Sequence, residues 1–303
     1  MGHHVVVLGW GLAPEGDDTW YLMGTLDARC TVCEARANCG TFNGGAARAS
    51  PLATGSAIEW TEATWNPSTG CSKVSSGCKN CYAERLSLRL RAMGLAKYRR
   101  GFRFTEHEGE VARPLAWRRP RRIFVNSMSD LFHEEATWPF VSRCFETMMG
   151  ADWHTYQVLT KRPRRMAAFS RRFARAHGHD IPPHIWMGTS VENVTTVGRI
   201  DRLREVRCSV RFVSFEPLLG RIEGVDLSGI DWAIIGGESG RGHRQVREEW
   251  VAGLIKECKR QRVRVFFKQW GGIRPKSGGR EIGGRTYDEY PTVGTKGTAR
   301  GGR

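Results

Sequence analysis

The chain has 303 residues, and its 47 Lys and Arg against 31 Asp and Glu give a formal net charge of +16. With 40% hydrophobic and 26% charged residues, the composition supports a folded core and excludes a disordered chain. No apolar run approaches the roughly 20 residues of a membrane span, so we expect a soluble, cytoplasmic protein without a membrane partner. The charge favours an anionic partner, DNA or RNA.

The pattern of residue types divides the chain into three segments. Residues 1–56 include a stretch rich in Gly, Ala, Ser and Thr with little periodicity, which predicts an atypical, loose extension. Residues 57–291 alternate between apolar strand-like runs and stretches with helical spacing. Residues 292–303 are Gly-rich and basic, and we expect a flexible tail there.

The alternation in the middle segment predicts a parallel sheet with crossover helices. One helix is indicated by the apolar spacing of Ala83, Leu86, Leu90 and Met93. This number of units favours an α/β fold of the TIM-like (β/α) barrel type, partial rather than full, with a doubly wound open sheet as the alternative. The predicted strands cover residues 57–60, 121–126, 156–160, 184–189, 210–215, 231–236 and 263–267.

Three cysteines follow the first predicted strand with the spacing C-x6-C-x2-C. Cys71, Cys78 and Cys81 lie in a Gly- and Ser-containing loop directly before a predicted helix. Such a loop can wrap around one metal centre, and we expect the helix N-terminus to lower the pKa values of the thiols. Three ligands suit a [4Fe–4S] cluster with one open iron, whereas a zinc site needs a fourth ligand from a distant His or Cys.

The cysteine loop resembles that of the radical S-adenosylmethionine (SAM) superfamily, although the first gap in that pattern is usually three residues. The fuller sequence closely resembles a phage and prophage three-cysteine-motif family of unknown function, over about residues 58–291. The matching segments are Trp-Asn-Pro at 65–67, Gly-Cys-Lys-Asn-Cys-Tyr-Ala-Glu at 77–84, Phe-Glu-Pro-Leu at 215–218, Gly-Gly-Glu-Ser at 236–239 and Phe-Lys-Gln-Trp-Gly at 267–271.

The resemblance implies a catalytic use for the three cysteines. Cys71, Cys78 and Cys81 would bind a [4Fe–4S] cluster whose open iron chelates SAM. An electron donor such as flavodoxin or ferredoxin would then start cleavage of SAM to a 5′-deoxyadenosyl radical. Together with the positive charge, this predicts modification or repair of a nucleic acid or nucleotide.

Polar and charged residues follow six of the predicted strands. In a parallel barrel these positions lie at the carboxyl ends of the strands, where functional groups gather, so we expect one shared pocket. The resemblance assigns Gly236, Gly237 and Glu238 to the methionyl amine of SAM. Ser190, Glu192 and Asn193 suit the ribose hydroxyls or the amino-acid end, and Lys161 or Arg162 the carboxylate. The remaining candidates, for substrate binding or proton transfer, are Lys268, Glu216 and Asp130.

Two other functions fit the same residues. The first is a non-catalytic nucleic-acid-binding protein in which the three cysteines belong to a zinc staple. The second is a barrel hydrolase that uses a divalent metal ion bound by Asp130, Glu192, Glu216 and Glu238.

Weaker signals lie outside the cysteine loop. Cys30, Cys33 and Cys39 could form a second metal site with His3 or His4. The run 113–122 interleaves Arg with Trp117, a pattern that suits phosphate contacts and base stacking. Cys144 and Cys258 lie on apolar helix faces and are predicted to be core residues.

Overall fold

The computed structural model describes residues 56, 58–274 and 276–292, so the predicted extension and nearly all of the tail lie outside the described residues. The strands are β1 (Ala63–Trp65), β2 (Ser68–Thr69), β3 (Thr105–Glu106), β4 (Arg122–Val125), β5 (Thr155–Thr160), β6 (Ile185–Ser190), β7 (Arg211–Phe215), β8 (Trp232–Gly236) and β9 (Arg264–Gln269). The helices are α1 (Tyr82–Ala92), α2 (Glu108–Val111), α3 (Trp138–Gly150), α4 (Pro163–His177), α5 (Arg199–Arg204) and α6 (Glu248–Arg260).

Seven strands form one sheet in which every pair is parallel. Their order, β1-β4-β5-β6-β7-β8-β9, follows the chain, while β2 and β3 form a separate antiparallel pair. The sheet curls into a half-barrel with β1 and β9 at its two edges. This architecture confirms the predicted partial (β/α) barrel.

The two faces of the sheet pack differently, which argues against a doubly wound fold. On one face, strand residues such as Ala233 and Ile235 pack in one cluster with the apolar sides of α3, α4, α5 and α6. On the other face, Trp232 and Ile234 pack with Trp186, Phe212 and other strand residues, and among the described residues none from a helix belongs to that cluster. Helices on one face and side chains filling the other are the features of barrel folds.

Two sequence predictions were wrong in detail. The first strand is Ala63–Trp65, not residues 57–60, because Trp60 packs in the aromatic cluster on the helix-free face instead of pairing with a strand. The predicted apolar face of α1 is not core either: Ala83 is buried, but Leu86 is 39% and Met93 63% exposed.

The outer edge of β9 is covered by the chain that follows it. The backbone N–H of Phe267 donates to Tyr287, and that of Glu289 donates to Val265. Asp288 forms an antiparallel bridge with Phe266 between these two bonds. In the described part of the chain, none of the helices is long and apolar enough to cross a membrane.

Candidate functional site

The cysteine loop, residues 71–81, connects β2 to α1. It begins where the backbone N–H of Cys71 donates to the carbonyl of Phe102 (3.1 Å) and includes a 3₁₀ turn at Ser76–Cys78. Cys81 is the N-cap of α1. All three thiols are free and half-buried, so none is committed to a disulfide.

Cys71 and Cys81 do not have the lowered thiol pKa values that the helix N-terminus predicts. Burial raises the pKa of Cys71 to about 12, and the charge on Asp130 adds to this effect. Burial also raises the pKa of Cys81, although the backbone N–H groups of Glu84 and Ala83 act in the opposite direction. The helix N-terminus therefore contributes as expected, but the loss of solvation outweighs it.

Arg162 follows shortly after the end of β5. It connects that end of the strand to the start of the cysteine loop. Its guanidinium group donates to Asp130 (3.0 Å), to the Cys71 sulfur (3.5 Å) and to the Ser72 hydroxyl (2.7 Å). A further bond goes to Glu134 (2.7 Å). Because Arg162 and Asp130 are both buried, this network fixes the loop rigidly over β5.

Glu192, after β6, supports the middle of the loop. Its side chain is fully buried, accepts a hydrogen bond from Ser75 (2.8 Å), and forms ion pairs with Lys161 (3.1 Å) and Arg199 (3.0 Å). A Cβ on Gly77 would lie 2.5 Å from Cγ of Glu192, so only glycine allows the loop to pass this close. Burial raises the pKa of Glu192, but the charges of Lys161 and Arg199 outweigh it and leave that pKa below its usual range.

Glu238, after β8, holds the end of the loop. It accepts a hydrogen bond from the Asn80 side chain (2.9 Å) and forms an ion pair with Arg244 (2.6 Å). Arg244 also donates to the carbonyl of Ser76 (3.0 Å). Burial raises the pKa of Glu238, but the hydrogen bonds from Arg244 and Asn80 leave it lowered overall.

The end of β4 completes the support of the loop. The hydroxyl of Ser129 donates to the carbonyl of Gly70 (2.6 Å), and the hydroxyl of Tyr82 donates to the carbonyl of Ser127 (2.5 Å). His133, which is buried and stacked on Phe104, accepts a hydrogen bond from the backbone N–H of Ser72 (3.1 Å). Four strand ends, those of β4, β5, β6 and β8, therefore contact the cysteine loop or its flanking residues.

The predicted residues Lys268 and Glu216 lie together at the ends of β9 and β7. Their side chains form an ion pair (3.1 Å), and they are 23% and 14% exposed. Gly236 and Gly237 lie close to the protein's own atoms: a Cβ on Gly236 would meet the Glu216 carboxylate at 2.6 Å, and one on Gly237 the Trp270 carbonyl at 2.0 Å.

The four carboxylates of the hydrolase alternative are not gathered around one point. Asp130, Glu192, Glu216 and Glu238 are each paired with a cation of their own. Within residues 56–292, as far as the structure describes them, no three His, Cys, Asp or Glu side chains are placed to hold a metal ion. The described geometry therefore gives the hydrolase hypothesis no support.

The donor atoms of the cysteine loop suit either an iron–sulfur cluster or a zinc ion. Three free thiols lie in one half-buried loop, and thiolates are ligands of both kinds of site. Three cysteines are enough for a [4Fe–4S] cluster with one open iron, whereas a closed zinc site needs a fourth ligand. In the described part of the chain the three thiols are not gathered around one point, so it is their chemistry and not their geometry that supports a metal site.

A cavity of about 370 Å³ lies beside Cys71. Of the predicted site residues, only Cys71 lines it; the other walls include Ser72, Phe102, Phe104 and His133. The structure therefore places open space next to the first cysteine, whereas three of the predicted SAM-binding residues, Glu192, Asn193 and Glu238, are hydrogen-bonded to the loop itself.

Comparison with known proteins defines the family. Residues 55–291 match the model of DUF5131, a family described as proteins of unknown function. The chain belongs to the DUF5131 family. Over 133 residues it is 30% identical to the EKC/KEOPS complex subunit bud32 of Aspergillus oryzae, a match that covers 43% of this chain but only 39% of that protein. A solved structure, that of a mutant of spore photoproduct lyase, is similar with a TM-score of 0.41 and 14% identity, over 62% of this chain and 59% of the other.

In this DUF5131 chain the residues that sequence reasoning missed are partners of the predicted carboxylates or of the cysteine loop. Arg199, Arg244 and His133 each contact a loop residue or the carboxylate that supports it. Among 47 Lys and Arg, nothing in the sequence marks these arginines, because their partners are brought close only by the fold. Asn80 had a weak signal, its position inside the cysteine motif.

The weaker sequence signals have separate outcomes. Cys30, Cys33 and Cys39, with His3 and His4, lie outside the described residues. Cys144 and Cys258 are fully buried on α3 and α6, as predicted. Trp117 packs partly against the core and precedes β4, so it lies toward the amino ends of the strands, away from the cysteine loop.

Proposed function

We propose that this protein is an iron–sulfur enzyme of the radical SAM type, with a [4Fe–4S] cluster held by Cys71, Cys78 and Cys81. The observation that supports this most strongly is the position of three free thiols across the carboxyl ends of a parallel half-barrel. When bound, the cluster supplies one electron that cleaves SAM into methionine and a 5′-deoxyadenosyl radical, which abstracts a hydrogen atom from the substrate.

The chain's own residues position the loop and receive the ligands. Arg162, Glu192 and Glu238 contact three points along the loop, so these contacts hold the loop in place independently of a metal centre. Lys161, paired with the buried Glu192 but 21% exposed, is the residue we assign to the SAM carboxylate. Gly236, Gly237, Glu238, Ser190 and Asn193 remain the proposed contacts for the rest of SAM.

The proposed substrate is a nucleic acid or a nucleotide, with modification or repair of a base as the reaction. The net charge of +16 supports an anionic substrate. Lys268 and Glu216 form an ion pair that makes no hydrogen bond to the cysteine loop within the described structure. This pair is therefore available for substrate binding or proton transfer.

Anaerobic purification tests the cluster directly. We expect a brown protein with about four iron and four sulfide per chain and an absorption band near ~400 nm. The variants Cys71→Ala, Cys78→Ala and Cys81→Ala should lose this band, whereas Cys258→Ala, which removes a buried thiol far from the loop, should retain it. A colourless protein with one zinc ion would contradict the proposal and support the zinc staple.

Incubation of the reduced protein with SAM tests the chemistry. We expect 5′-deoxyadenosine as a product, detected by liquid chromatography and mass spectrometry. Its absence from protein with a full complement of iron and sulfide would contradict radical SAM activity while leaving the cluster intact.

A further inference from the structure

Helix α1 and the segments on either side of it carry exposed apolar side chains beside the cysteine loop. Within α1, only Ala83 and Ser87 are buried. Ten large hydrophobic side chains are exposed among the described residues, and six of them lie here. We call this group the α1 surface: Val74, Tyr82, Leu86, Leu88, Met93 and Leu95.

The α1 surface is also strongly basic. Residues 71–103 contain nine Lys and Arg but one acidic residue, Glu84, and that residue is already paired with Lys73 (3.0 Å). Arg89, Arg99 and Arg100 are exposed, and the described structure gives their side chains no ion pair. Residues 71–103 therefore carry a net charge of +8, half of the chain's +16.

The surface reaches the cysteine loop itself. Tyr82 directly follows Cys81, and Leu86, Arg89 and Met93 lie on the same side of the helix at spacings of four, seven and eleven residues. The hydroxyl of Tyr82 is anchored to Ser127, which holds the start of the helix against β4. Anything bound to this stripe is thus adjacent to the thiols.

We propose that the α1 surface is the docking site for an acidic protein that carries a one-electron redox group; this rests on the proposed function. Each cleavage of SAM consumes one electron, so the donor is oxidised by one electron as the cluster is reduced by one. Exposed leucine and methionine side chains suit the apolar centre of a protein interface, and the arginines around them suit an acidic rim. Nucleic acids are bound mainly through polar contacts and aromatic stacking, whereas five of the six exposed side chains of the α1 surface are aliphatic.

Stopped-flow reduction of the loaded protein tests the proposal, with flavodoxin hydroquinone and a reduced plant-type ferredoxin as acidic donors. We expect the rate to saturate with donor concentration and to weaken with salt. In the double variant Leu86→Glu with Arg89→Glu, the half-saturating concentration should rise at least about tenfold. The matched control, Leu115→Glu with Arg175→Glu, changes exposed residues toward the amino ends of the strands and should behave like the unaltered protein.

Reduction by dithionite separates this proposal from the proposed function. Dithionite is small and needs no docking surface, so it should reduce both double variants at the rate of the unaltered protein. If dithionite produces no spectral change in any of them, the cluster cannot be reduced and the proposed function fails. If dithionite works but neither donor shows saturation, or the α1 variant matches its control, the docking proposal is overturned. Loss of oligonucleotide binding alone in the α1 variant would likewise overturn it and assign the surface to nucleic acid.

Discussion

The guanidinium group of Arg162 lies 3.5 Å from the sulfur of Cys71 and 3.0 Å from the carboxylate of Asp130. One buried arginine thus links the end of β5 to the first cysteine. Replacing it by Gln leaves Asp130 as a buried carboxylate without its cation, and breaking such a pair costs about 3–5 kcal/mol. We expect Arg162→Gln to lower the free energy of unfolding by about this amount in urea titrations.

The control for Arg162→Gln is Arg175→Gln in the exposed last turn of α4, which should change stability by less than about 0.5 kcal/mol. In cluster-loaded protein, Arg162→Gln should also shift the reduction potential to a more negative value, because a cation and a hydrogen bond near a ligand sulfur are lost. Potentiometric titration followed by EPR measures this shift. Equal potentials would show that Arg162 has a structural role alone.

Gly77 should not tolerate a side chain. The Cβ of Gly77→Ala would lie 2.5 Å from Cγ of Glu192, a fully buried side chain that would have to shift. We expect a loss of about 1–3 kcal/mol, measured by urea unfolding, and a lower iron content after anaerobic reconstitution.

Gly253→Ala provides the opposite case for comparison. Gly253 lies within α6 with open space around its Cα, so alanine there should stabilise the helix by about 0.5–1 kcal/mol. If both variants show the same change in stability, the close contact between Gly77 and Glu192 is not a constraint on the loop.

The stability of the protein should depend on pH through Glu192. Lys161 and Arg199 hold the pKa of this carboxyl below its usual range despite burial. A lowered pKa in the folded state adds stability above the unfolded pKa, about 4.3, and this stability is lost as the pH falls through the folded value. Urea midpoints should therefore decrease more steeply below about pH 4.3 in the unaltered protein than in Glu192→Gln. Parallel curves for the two proteins would contradict this assignment.

The Lys268–Glu216 pair should matter much less for stability. Both side chains are partly exposed, and pairs of this kind contribute about 0–1 kcal/mol. We expect Lys268→Met to lower the free energy of unfolding by less than about 1 kcal/mol in urea titrations. A loss as large as that expected for Arg162→Gln would mean that this pair also supports the fold and is not reserved for substrate.

The strands of the sheet could be predicted from the sequence because burial on both faces gives continuous apolar runs. Residues 184–189 were predicted as a strand, and β6, Ile185–Ser190, is buried throughout. The exception is β1, which has three residues and is too short to stand out from the nearby Trp60. The apolar residues of α1 were predicted to be core for another reason: helical spacing cannot distinguish a buried apolar face from an exposed one.

The polar side of the site was predictable only in part. The positions of Asp130, Glu192 and Glu238 after their strands follow from the topology of parallel sheets. Their partners do not, because Asn80 meets Glu238 across 158 positions of sequence and Ser75 meets Glu192 across 117. Sequence reasoning therefore assigned to a ligand several groups whose hydrogen bonds are made within the protein.

Residues 287–289, which run antiparallel along the outer edge of β9, have a consequence for solubility. An uncovered edge strand offers unpaired backbone N–H and C=O groups to other copies of the chain, and such edges promote aggregation. At the edge of β9, Tyr287 and Glu289 already form backbone hydrogen bonds with the strand. The opposite edge strand, β1, has only three residues. The half-barrel therefore does not have to close into a full barrel, because neither edge strand offers a long unpaired backbone to another chain.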